Sequence, residues 1–146
     1  MSSRAYSEVN LHIVWHVKDN SPILRDSVEQ NVREFIRRSA ADAKVLVHAI
    51  GGTDDHVHLA VGFPVEVSVS DWVGRMKGAS SHFINDRILN RKALEWQSGF
   101  GVVSFGTRDL SWVVDYIANQ RQRHASNDVH DRLERYKPGS DEATTG

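Results

Sequence analysis

The chain has 146 residues, 40% of them hydrophobic and 25% charged, which suits one compact domain and leaves little room for a second. It contains no cysteine, which excludes a disulfide framework, a thiolate zinc site and a cysteine nucleophile, so any metal must be held by histidine, carboxylate or amide groups. The formal net charge of -1 excludes a global electrostatic argument for binding nucleic acid, so such a site must be local.

In chain order, Val9, Leu11, Ile13, Trp15 and Val17 alternate with more polar positions at the period of a half-buried strand. Asp26 and Ser27 offer N-caps, with Glu29 and Gln30 in capping-box positions, for a helix whose apolar positions are Val28, Val32, Phe35, Ile36 and Ala40. Lys44 to Ile50 reads as a second strand, Gly51-Gly52-Thr53-Asp54 as a turn, and His56 to Gly62 as a third strand, together a hairpin. A second helix is expected from Ser70 to about Asn90, with Gly78 against it, and a fourth strand from Phe100 to Phe105. Leu110, Val113, Val114 and Ile117 form the apolar stripe of a third helix running to about His124. This order predicts an α+β, ferredoxin-like (RRM-like) antiparallel sheet with two packed helices and an additional C-terminal helix. The expected division is one domain over 1–137 and a disordered tail over 138–146. No apolar run approaches the roughly 18 to 20 residues a bilayer span needs, so a cytoplasmic protein with no membrane partner is expected.

Two small patterns carry chemistry. On the third strand, His56 and His58 project from one face while Val57, Leu59 and Val61 project from the other, and two imidazoles on one face can chelate a metal. Taken alone, the pair reads more readily as two polar residues on a wet face than as ligands. On the third helix, Tyr116 and Gln120 stand at i and i+4 beside the apolar stripe, placed to face a site. Alone, that pair reads as a tyrosine packed at the core edge with a solvated glutamine. A third histidine, His12, lies on the first strand and reads as a structural hydrogen-bonding group. Tyr136, in a charged stretch before Pro138 and without a glutamine partner, is a poor nucleophile candidate.

Joined, the patterns resemble the single-tyrosine HUH transposases of small insertion sequences, a family that includes the REP-associated tyrosine transposases. The resemblance runs from about Leu11 to His124. It includes Leu11-His12-Ile13-Val14-Trp15, Asp55-His56-Val57-His58-Leu59, Lys77-Gly78-Ala79-Ser80-Ser81, Trp96-Gln97-Ser98-Gly99-Phe100-Gly101 and Tyr116-Ile117-Ala118-Asn119-Gln120. It implies that His56, His58 and Gln120 hold a divalent metal, Mg2+ or Mn2+, and that Tyr116 is the nucleophile. It further implies a homodimer acting on single-stranded DNA with hairpin-containing repeat ends, cleaving and rejoining it through a 5′-phosphotyrosine. Lys77, Gly78 and Ser80 on one helix, and Arg121 and Arg123 beside Tyr116, are the expected DNA contacts. The sequence departs from the family in reading Gly52-Thr53-Asp54-Asp55 where Met-Pro-Asp is commoner, and in carrying Arg123 rather than a second histidine before His124. Two other readings compete: a metal-dependent phosphoesterase whose histidines activate water, and a noncatalytic regulator binding single-stranded nucleic acid on its sheet.

Overall fold

A computed structural model describes residues 6–138 of the chain. The elements are β1 (Asn10–His16), α1 (Asp26–Asp42), β2 (Leu46–Gly52), β3 (His56–Gly62), α2 (Val69–Phe83), β4 (Gly99–Phe105), α3 (Leu110–Ala118), α4 (Gln120–Ala125), α5 (Asp131–Glu134) and β5 (Lys137–Pro138). The strands form one antiparallel sheet in the order β2-β3-β1-β4-β5, so the first four follow the expected ferredoxin-like arrangement.

The period-2 pattern decides which residues meet. Ile13 pairs with Leu59 and Trp15 with Val57 across β1 and β3, and these side chains join Val32 and Ile36 of α1 and Trp72, Val73 and Met76 of α2 in the main core. Each fully buried aliphatic side chain there contributes about 1.5–3 kcal/mol. The alternate positions face the other side of the sheet, where His12, His56, His58 and Ala60 are buried. Ala60 packs there against Val113 and Ile117 of α3. A small residue at position 60 therefore lets α3 settle close to the strands that carry the histidines.

Several boundaries differ from expectation for identifiable reasons. Gly51 and Gly52 belong to β2, opposite His58 and Val57, and the turn falls on Thr53 to Asp55. A Cβ at Gly51 would stand 2.3 Å from the carbonyl oxygen of Ile117, so glycine there permits α3 to touch the strand. The single helix expected from Leu110 to His124 is broken at Asn119. The Asn119 amide group donates to the carbonyl and carboxylate of Asp115, the local competition with helical bonding that asparagine offers. No side-chain cap holds the start of α1, and Asp26 is its first residue. Glu29 instead pairs with Arg33 and Arg121. The tail expected over 138–146 lies outside the described residues apart from Pro138, whose backbone pairs with Gly99. No described helix is long and apolar enough to cross a membrane.

Candidate active site

Because β3 presents alternate residues to one face, His56 and His58 stand side by side beneath α3, α4 and α5. Three imidazole nitrogens converge on one carboxylate oxygen: Glu134 Oε1 lies 3.1 Å from His58 Nε2, 3.4 Å from His56 Nε2 and 3.4 Å from His124 Nε2. The ligating atoms of these four residues all lie within 4.8 Å of one another. The remaining ring nitrogens are tethered. His56 Nδ1 is 2.7 Å from Asp55 and 2.8 Å from Thr53 Oγ1, and His58 Nδ1 is 2.7 Å from His12 Nε2. Such outer contacts set the tautomer and direct the other nitrogen inward. His56 Nε2 is buried and makes no hydrogen bond among the described residues, its polar neighbour being Glu134 Oε1 at 3.4 Å, and a buried polar atom in that state calls for an explanation.

Tyr116, in the last turn of α3, has no exposed surface. Its hydroxyl donates a short hydrogen bond to Glu134 Oε2 and accepts one of 2.9 Å from the His130 backbone N–H. Its ring stacks on Trp112 at 5.6 Å, meets His58 edge-on at 6.0 Å, and lies under the Arg123 guanidinium at 4.8 Å. Gln120 opens α4 and is also buried; its Oε1 is 3.1 Å from His124 Nε2, and its Nε2 donates to the Tyr116 carbonyl. The break at Asn119 thus separates the tyrosine and the glutamine into two helices without separating their side chains.

Burial pushes His12 down to about 3 and His58 to about 4, His58 in spite of the Glu134 carboxylate, so both are neutral and available as acceptors at neutral pH. Burial also works against charge on His56, but Glu134 and Asp55 outweigh it and raise its pKa. Glu134 is buried too, which favours its acid form, yet the His56 and His58 imidazoles beside it hold its carboxyl well below the usual range. For Tyr116, burial and then the bond to Glu134 push the phenol up to about 12. The arrangement therefore combines the neutral imidazoles of His12 and His58, an anionic carboxylate and a protonated phenol. The buried His56 nitrogen without a hydrogen bond and this donor set fit a divalent cation.

The other expected site residues are divided. Lys77 and Ser80 are buried on the opposite side of the sheet: the Lys77 ammonium donates to the Gln97 and Gly99 carbonyls, and Ser80 accepts from the Trp96 indole. Neither side chain is presented at the surface, because both tie α2 to the segment leading into β4. Gly78 is exposed with open space around it. Arg121 is held by Asp54, by Glu29 and by the Leu24 carbonyl. Sequence reasoning assigns no role to Glu134, or to His16, which stacks between His56 at 4.7 Å and Tyr136 at 4.4 Å. Glu134 sits in a four-residue helix among charged neighbours, and Leu133, buried in that stretch, was the one signal that this segment packs on the body.

Comparison with known proteins places the chain. Residues 5–120 match the profile of the IS200-like transposases. The chain belongs to the IS200-like transposase family. It is 23% identical over 121 residues to the ISDra2 transposase TnpA of Deinococcus radiodurans, a match covering 80% of this chain and 86% of that protein. The fold resembles the crystal structure of a transposase from Deinococcus radiodurans with a TM-score of 0.67 and 22% identity, covering 82% of this chain and 96% of the other. It also resembles a REP-associated tyrosine transposase bound to a REP hairpin, with a TM-score of 0.62 and 20% identity, covering 88% of this chain and 75% of the other. The IS200-like match ends at Gln120, so it includes His56, His58 and Tyr116 and leaves His124 and Glu134 outside it.

Proposed function

We propose that this IS200-like transposase cleaves and rejoins single-stranded DNA through a 5′-phosphotyrosine on Tyr116, with a divalent metal held by His56, His58 and Gln120. The observation that carries the reading is the meeting of the Tyr116 hydroxyl with the paired histidines in one buried cluster, joined through Glu134. A cation held there, Mg2+ or Mn2+, would supply neutralising charge to the phosphate, and the nitrogen-rich ligand set would favour Mn2+. Tyr116 supplies the attacking oxygen: the tyrosyl O–P bond forms, the P–O3′ bond breaks, the phenol gives up its proton and the 3′ oxygen leaves as a hydroxyl. Reversal with a second 3′ end rejoins the strand, and the phosphotyrosine preserves the bond energy, so no nucleotide cofactor is needed. His12 and Asp55 orient the histidines, and Gln120 holds the end of the tyrosine helix through the Tyr116 carbonyl. Arg121, Arg123 and the exposed Gly78 are the proposed DNA contacts. Homodimerisation is part of the proposal as a way to pair two DNA ends, while Tyr116 already meets the histidines within one chain.

Hairpin-containing single strands from the repeats flanking the gene, incubated with Mn2+ or Mg2+, test the reading. Cleavage is expected for the single strand and lost on chelation or in His58→Ala; equal cutting of the annealed duplex, or cutting that survives chelation, would rule it out. A second reading draws on the full burial and raised pKa of Tyr116: a phosphoesterase in which the tyrosine only orients phosphate and water attacks. It differs in forming no protein–DNA bond.

A further inference from the structure

Resting on the metal-dependent reading, we propose that His124 and Glu134 are ligands of the same cation as His56 and His58, so that one carboxylate both holds the metal and positions the nucleophile. Ligand bonds of about 2.0–2.2 Å place neighbouring ligand atoms on one cation about 3.0–3.6 Å apart. The separations from Glu134 Oε1 to the three Nε2 atoms, 3.1, 3.4 and 3.4 Å, are edges of such a coordination shell. The distance of 3.1 Å between Gln120 Oε1 and His124 Nε2 is another edge, so the amide remains compatible as a further donor.

The second nitrogens support the same assignment. Asp55 and Thr53 occupy His56 Nδ1 and leave its Nε2 buried without a hydrogen bond, facing Glu134 Oε1 at 3.4 Å. His58 is arranged alike: its Nδ1 is held by His12, and its Nε2 faces Glu134 Oε1 across a hydrogen bond whose proton a bound cation would replace. Glu134 divides its oxygens: Oε2 accepts from Tyr116, and Oε1 faces the imidazoles. The fold holds this carboxylate in place, because Leu133 is buried, Arg132 donates to the Ser104 carbonyl, and Lys137 pairs with Phe100 of β4. Both added ligands come from the segment beyond the IS200-like match, so the centre depends on this chain's own C-terminal crossing of the sheet.

The test is Mn2+ binding to the full chain, read by titration calorimetry and by loss of the free-ion EPR signal, with no DNA present. Wild type is expected to bind one ion, and His56→Ala, His124→Ala and Glu134→Gln each to weaken binding by at least about tenfold. Metal-free melting curves show whether each variant is folded. If Glu134→Gln fails to fold, His124→Ala, at a side chain one-third exposed, carries the test. Loss of binding in His56→Ala alone, with His124→Ala and folded Glu134→Gln within about twofold of wild type, overturns this inference and leaves the metal reading standing. No binding by wild type overturns both.

Discussion

Gly101→Ala perturbs the proposed centre without touching any member of it. A Cβ at position 101 would stand 1.8 Å from the carbonyl oxygen of Arg135 and 3.0 Å from Val14 Cγ1. A carbon and a carbonyl oxygen approach no closer than about 3.3 Å, so the two must part by about 1.5 Å. β4 is held along its length by β1, with Val14 opposite Gly101, whereas the crossing segment is held to β4 by the two pairs at Gly99 and Phe100. The segment therefore yields, and Glu134, one residue before Arg135, moves with it. Contacts of 3.1 to 3.4 Å to three imidazoles do not survive such a shift, while His56 and His58 stay on their strand. The expected result is a stability loss of about 1–3 kcal/mol from overpacking, with Mn2+ affinity reduced about as far as in Glu134→Gln. Chemical denaturation and calorimetry on the same preparation measure both. A folded Gly101→Ala protein that binds Mn2+ as wild type does would refute the reasoning, since it would detach the crossing segment from the metal.

Further outcomes follow from the same geometry. His58, at about 4 when folded against about 6.5 unfolded, lets the unfolded chain bind more protons between those values. Stability is therefore full above about pH 6.5 and falls on acidification by on the order of 3 kcal/mol; His12 and Glu134 act in the same direction and His56 in the opposite one. Metal-free urea midpoints should drop from pH 7 to 4.5 in wild type and less in His58→Gln, where the His12 contribution remains, and equal drops would contradict the shift. Lys77→Met removes a buried donor to the Gln97 and Gly99 carbonyls and is expected to cost about 1–3 kcal/mol without changing the salt dependence of DNA binding, whereas Arg123→Ala should lower that slope by about 1; a reduced slope in Lys77→Met would restore it as a DNA contact. Asp55→Asn removes a charged partner of His56 Nδ1 and is expected to weaken Mn2+ binding about tenfold, and unchanged binding would make Asp55 a surface residue only.

Much of this was legible in the sequence because it rests on periodicity. Alternation in β1 and β3 places His12, His56 and His58 on the face away from α1 and α2, and the apolar stripe of α3 places Tyr116 toward them. What was not legible depends on single contacts. The break at Asn119 comes from one side chain competing for a carbonyl, and the inclusion of Gly51 and Gly52 in β2 reflects how closely α3 approaches the sheet. Lys77 reads as a basic surface residue until the carbonyls above it are known. Glu134 is hidden for a related reason: a short charged segment has no period to report its packing, and only the buried Leu133 and the β4–β5 pairing bring its carboxylate over the histidines.

The central claim is that Tyr116 bonds covalently to DNA. Single-stranded hairpin substrate labelled on the 3′ side of the scissile phosphate, incubated with the protein and Mn2+ and run on a denaturing gel, tests it most directly. The account predicts label migrating with the protein in wild type and in Tyr136→Phe, and none in Tyr116→Phe. Cleavage without any adduct, or an adduct that persists in Tyr116→Phe, would contradict it.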